Sequence, residues 1–302
     1  MTQKKAEILL AAVIAARATS LLFSKIAMNG MGIFNLLAAR FLMAFVLLAV
    51  VFFKRLRHIK RHTLVRGAIM GALFFLMLST ELTGLKSTPS STVSLLENTA
   101  IILVPMTEAV LRHKLPKAAT AVSALVAIGG VALLTGQSGG FTPGMVLAVM
   151  AAVLYAAAII TTDRFSHEDD PLTLGIVQVG TLGLLALVSS FVFEAPHLPQ
   201  SGTQWLMIAG LAVICTGFGF TLQPVAQSHT TAQRAGLFCA LSPACATLLG
   251  AAVLREHIIS VMGMCGIALI LLSLLVPQLW QLAEKKGITL LPRHAVPAVR
   301  RA

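Results

Sequence analysis

Ten apolar stretches, separated by short breaks of glycine, proline, serine or charge, run the length of the chain at about 7–28, 33–53, 64–83, 91–111, 118–135, 143–163, 172–193, 205–223, 231–254 and 259–280. Each is close to the roughly 20 residues that a helix needs to cross about 30 Å of hydrocarbon. In a bilayer every peptide group is satisfied within its own helix or in a closed barrel, and these stretches are too long for the roughly ten residues of a barrel strand. The expected fold is an all-α membrane protein of ten transmembrane helices. Only 11% of the 302 residues are charged, against about a quarter in a soluble domain. With 57% hydrophobic residues and a mean hydropathy of +0.88, one water-soluble core could not hide the apolar surface.

The net charge of +12 and pI near 10.2 would suggest nucleic acid on a soluble fold. Here the cations sit between apolar stretches, so no nucleic-acid partner is expected, and the charge bears on membrane orientation instead. Lys and Arg accumulate in cytoplasmic loops. With the N-terminus inside, 18 of the 23 cations face the cytoplasm, Lys86 and Arg255 face outward, and Arg17, Lys25 and Arg40 fall within spans. Both termini are therefore expected in the cytoplasm of a protein of the bacterial-type inner membrane. Lys4 and Lys5 ahead of an apolar run also resemble a signal peptide, but the run resumes beyond Arg17 and ends near Met28, which suits a span better.

Enzymatic signatures do not occur. There is no Walker or HExxH pattern, and GFGF at 217–220 lacks the GxGxxG spacing. Cys215, Cys239, Cys245 and Cys265 lie in apolar segments without metal-ligand spacing and read as buried thiols. No enzyme activity, cofactor or metal is expected. HEDD at 167–170 reads as a solvated acidic turn on the cytoplasmic side.

Shifting the chain by 143 residues lays AVLR at 109–112 on AVLR at 252–255, with the surrounding spans in register. Five spans per copy is an odd number, so the copies enter the membrane from opposite sides and form an inverted repeat. The segment GLFCALSPACATLLGAAVLREHIISVMGMCGIALILLSLLV carries Ser242-Pro243 with Glu256 thirteen positions beyond the proline. It resembles the last two spans of the EamA-type family of the drug/metabolite transporter superfamily. TGLKSTPSSTVSLLENTAIILVPMTEAVLRHKLP has the same layout in the first copy, and Ser24-Lys25 with Ala39-Arg40 resembles the family's first two spans. Arg17-Ala18 stands where the family usually has Trp-Gly, Ala100 where the first copy often has Pro, and His113 where it often has Glu. The resemblance implies EamA-like repeats at 1–135 and 136–280, followed by a basic cytoplasmic tail at 281–302.

A charge near the bilayer centre costs about 2.5–3.5 kcal/mol on insertion scales, so intramembrane ions need partners or water. Lys25, Arg40, Glu81 and Glu97 all fall in the outer half, with Arg17 near mid-depth. Candidates for substrate binding are Arg17, Lys25, Glu97, Asn98, Tyr155 and Gln178. A guanidinium at Arg17 could grip a carboxylate bidentately, and Tyr155 lies at the position pseudo-equivalent to Arg17. Lys25 could instead snorkel to the interface. Glu97 and Glu81 are candidates for proton coupling, because a dry carboxyl titrates nearer neutrality; a permanent ion pair would abolish that role. Structural pairing is expected of Arg40 and of Glu108 with Arg112, one turn apart. GAIMG at 67–71 offers a surface for close helix packing.

The expected function is secondary active transport, in the export direction, of a small polar metabolite such as an amino acid, with the bilayer and protons as further partners. A cationic drug or quaternary amine, with Glu97 as its counter-ion, is one alternative. An intramembrane enzyme or lipid-handling scaffold is another, for which no catalytic pair is visible.

Overall fold

A computed structural model of the chain describes residues 5, 8–9, 12–13, 16, 19–111, 118–136, 142–229 and 261–285. Among these residues every regular element is a helix. The first span ends in α1 (Ser20–Ala27) and turns at Gly30, whose φ of +82° suits a residue without a Cβ. The second span is α2 (Ile33–Val51), continued by the short α3 (Phe53–Leu56), and the third is α4 (Arg61–Leu85). The fourth, expected as one helix over 91–111, is two: α5 (Ser90–Asn98) and α6 (Ala100–Leu111). Next come α7 (Ala118–Gly136), α8 (Pro143–Glu168) and α9 (Pro171–Phe193). Both α8 and α9 begin at a proline behind a side-chain cap, Thr142 and Asp170, where the missing N–H costs nothing. The eighth span starts in a capping box of Ser201 and Gln204, and runs through α10 (Gly202–Gly210), a π-helical stretch (Leu211–Phe220) and α11 (Thr221–Gln227). The tenth is α12 (Val261–Lys285). The expected ninth span, 231–254, lies outside the described residues, as do Ser242, Pro243 and Glu256.

Five of the described helical stretches are long and apolar enough to cross a membrane: Ile33–Val51, Arg61–Leu85, Pro143–Glu168, Pro171–Phe193 and Gly202–Ala226. Their outward surface is apolar, with Val50, Val51, Leu125, Ile128, Val188 and Phe191 all exposed. In water this would be an aggregation-prone belt; against lipid it is satisfied.

Turns alternate between two faces. On one, Gln204 Nε2 donates to the Asn29 carbonyl at 3.0 Å, and Gly84 packs on Gly144 closely enough that a Cβ would lie 2.8 Å from its carbonyl oxygen. On the other, the 54–66 turn meets 163–170 through ion pairs. Glycines let the helices between these faces approach. In the GAIMG segment, a Cβ on Gly71 would fall 2.7 Å from the Gln178 carbonyl oxygen, and one on Gly67 2.6 Å from Val177.

The two copies interleave and do not form separate halves. Helix α2 packs along α9, α7 along α12, α4 along both α8 and α9, α1 against α10, and α2 against the π-helical stretch. Exchanging each span of the first copy with its counterpart five spans later maps this set onto itself. The pairs α2–α9 and α7–α12 are self-symmetric; α4–α8 becomes α10–α1, and α4–α9 becomes the eighth span on α2. Such exchange symmetry is what a two-fold axis between inverted repeats produces.

Candidate functional site

Helix α5 is the element in which polarity and burial coincide. Ser90, Thr92, Ser94, Glu97 and Asn98 are all buried, the glutamate only 7% exposed. At 100° per residue, Ser90, Ser94, Glu97 and Asn98 share one face spanning about 100°. A polar stripe inside an apolar membrane fold needs protein partners, water or ligand. Ser94 Oγ has no hydrogen-bond partner among the described residues. The helix packs against α1, α4 and α8, the elements that carry Lys25, Glu81 and Tyr155. Glu97 lies seven residues from Ser90, about 10 Å along the helix axis.

The break after Asn98 has a local cause. Asn98 Nδ2 donates to the Ser94 carbonyl at 2.7 Å, and Thr99 Oγ1 donates to the Leu96 carbonyl at 2.6 Å. Side chains that bond back onto the preceding turn compete with the helical ladder. The backbone tightens here to three-residue spacing, with Thr99 N donating to the Leu96 carbonyl and Ile102 N to the Thr99 carbonyl.

Arg40, 1% exposed, braces three elements. Its Nε donates to Thr216 Oγ1 on the π-helical stretch at 2.7 Å, and Nη1 donates to Ser20 Oγ on α1 at 2.9 Å. Its guanidinium carbon lies 5.8 Å from the centre of the Phe220 ring. From there a line of edge-on aromatic contacts crosses the interior: Phe41 to Phe220 at 5.5 Å, Phe220 to Phe74 at 5.4 Å, and Phe74 to Tyr155 at 6.2 Å. Tyr155 is buried in this line. Gln178, 1% exposed on α9, has no hydrogen-bond partner for Oε1 among the described residues. Lys25 is half-buried in the last turn of α1, and Glu81 is buried near the end of α4.

The expected residues thus fall into two sets. Lys25, Glu81, Glu97, Asn98 and Tyr155 lie on α5 and the three helices packed against it, α1, α4 and α8, while Gln178 lies on α9, with its carbonyl oxygen under Gly71. Arg17 and Arg112 lie outside the described residues, as does the side chain of Glu108 on α6.

Two carboxylates outside the expected site tie turns together. Glu194 accepts from the Phe34 and Asn35 backbone N–H groups at 3.2 and 3.0 Å, capping α2 at its positive end. Gly32 leaves the room for it, since a Cβ there would collide with this carboxylate. Asp169 corrects the reading of HEDD as a solvated turn: its side chain is 6% exposed and accepts from Arg66 at 2.7 Å, from Thr63 Oγ1 at 2.9 Å, and lies 2.8 Å from His62 Nε2. Burial pulls the Asp169 carboxyl upward, but the bonds from Arg66 and Thr63 and the neighbouring His62 outweigh it and hold the group below its ordinary range. The opposed signs of KRLRHIKRH and HEDD could have suggested this pairing. Nothing in the sequence marked Ser20 or Thr216 as partners of Arg40. Among the described residues no group of three His, Cys, Asp or Glu side chains could hold a metal ion.

Interleaved, exchange-symmetric helices under an apolar belt, with polar groups enclosed between them, make this an integral membrane protein built from two five-helix repeats. The model of the EamA-like transporter family matches residues 4–136 and again 142–276, and the chain belongs to that family, within the drug/metabolite transporter superfamily. A solved structure, titled only "Crystal structure of protein", superposes with a TM-score of 0.69 at 20% identity, over 94% of this chain and 99% of its own; this likeness is one of fold. No curated protein matches the sequence.

Proposed function

We propose that the protein exports a small polar metabolite of the amino-acid type by alternating access, driven by proton exchange at Glu97, with Glu81 as a second titrating group. The observation that carries this reading is the buried polar face of α5, which sets Ser90, Ser94, Glu97 and Asn98 in the interior of a transporter. Lys25, Asn98, Tyr155, Gln178 and Arg17 complete the proposed substrate set. The engagement of Arg40 with Ser20 and Thr216 supports a structural role for that cation. Arg17, Lys25 and Arg40 stand against Glu81 and Glu97 within the spans, and the one surplus cation suits an anionic or zwitterionic substrate. Glu108 and Arg112 belong in this reading to structural pairing. The protein sits in the inner membrane with both termini cytoplasmic, repeats at 1–135 and 136–280, and a basic tail at 281–302.

Two buried acids, Glu81 and Glu97, favour a second reading in which the substrate is a cationic drug or quaternary amine. One experiment separates the two. Purified protein in liposomes is assayed for counterflow of labelled amino acids and of quaternary amines, with and without a pH gradient. In the first reading Glu97→Gln keeps counterflow of the amino acid and loses its response to the gradient. In the second it abolishes binding of the cation.

A further inference from the structure

We infer that the turn joining α2 to α4 is a binding surface for anionic phospholipid headgroups. From Lys54 to Arg61 it carries five cations in eight residues, and no acid occurs between Glu7 and Glu81. Its charge is only partly answered within the protein. Arg55 lies 3.5 Å from Asp170, and Arg66, just beyond the turn, pairs with Glu168 and Asp169. Lys54, Arg57, Lys60 and Arg61 are exposed and form no ion pair among the described residues.

Position fixes what these four cations meet. The residues just before them, Val50, Val51 and Phe53, are 74%, 71% and 64% exposed, and such apolar side chains at the end of a transmembrane helix face acyl chains. Lys54 follows directly, and Arg57 lies one helical turn beyond Phe53, about 5 Å along the chain. That is the depth of the phosphates. Leu56 and Ile59 are half-buried, so the turn is held to the protein by its apolar residues and by Arg55, while its remaining cations project at headgroup level. Four or more Lys and Arg beside a transmembrane helix, without acids among them, attract anionic lipid over zwitterionic lipid.

The test uses the full-length protein, delipidated in detergent and then given equimolar phosphatidylglycerol and phosphatidylcholine, with retained lipids counted by native mass spectrometry. The wild type retains phosphatidylglycerol preferentially, and the preference weakens at high salt. Combined substitution of Lys54→Gln, Arg57→Gln, Lys60→Gln and Arg61→Gln lowers that preference by about tenfold or more, as expected for losing several surface cations. A charge-preserving variant, Lys54→Arg with Arg57→Lys, Lys60→Arg and Arg61→Lys, keeps it, and so does Lys86→Gln on the opposite face. Equal retention by the wild type and the glutamine variant overturns the inference. So does displacement of the lipid by millimolar inorganic phosphate, which would mark a site for small anions.

Discussion

A guanidinium enclosed in a membrane interior is stable only where its donors are met, and Arg40 meets a hydroxyl on each of two neighbouring elements. Arg40→Met removes both bonds and leaves Ser20 and Thr216 to find other partners. It should lower stability by about 2–4 kcal/mol, since hydrogen bonds to charged groups contribute roughly 1.5–3 kcal/mol each. Thermal unfolding in detergent measures this, and an unchanged melting temperature would show that the brace is idle. Arg40→Lys offers one compact ammonium in place of a fork and should recover only part of the loss. At this scale the sequence displayed the charges but not their company. The insertion cost of Arg40, Glu81 and Glu97 singles them out without coordinates, whereas pairing Arg40 with Thr216 depends on a contact across 176 positions. Asp169 is hidden for the opposite reason: a run of acids looks solvated until the folded chain brings Arg66 and His62 to it.

The clasp around Asp169 works between elements, joining the start of α4 to the turn between α8 and α9. Its folded pKa is depressed, so its stabilisation is complete above the ordinary carboxylate value near 4 and is lost as pH falls through the lower folded value. Asp169→Asn should therefore lower the melting temperature at neutral pH, and the gap to the wild type should close in acid. A gap that is constant with pH would remove the ionic role. Glycine positions give a second check on packing between elements. Gly71→Leu would drive α4 away from the α9 backbone and should cost about 1–3 kcal/mol, the usual range for overpacking; Gly129→Leu, with nothing within 4 Å of its Cβ position, should cost little. The small-residue motif at 67–71 was legible because close approach demands it. The π-helical stretch was not, although Gly217 and Gly219 inside it relax the local constraint. The break at Thr99 also escaped, because back-bonding by Asn98 and Thr99 is one of several options open to those side chains.

For the molecule as a whole, hydropathy specified the spans and the odd number of spans per copy specified inversion, while charge asymmetry supplies the direction proposed for them. Interleaving lay beyond sequence reading: each copy is amphipathic only weakly, and which helix of one packs on which helix of the other is decided by shape. The central claim is that the copies enter the membrane from opposite sides. The turn between the first two spans and the turn between the sixth and seventh are equivalent under the exchange symmetry, and Asn29 and His167 are exposed on them. In a background with Cys215, Cys239, Cys245 and Cys265 replaced, Asn29→Cys and His167→Cys are treated in intact cells with a membrane-impermeant maleimide. The account predicts labelling of Asn29→Cys from outside and of His167→Cys only after the membrane is opened. Labelling of both from the same side would contradict it.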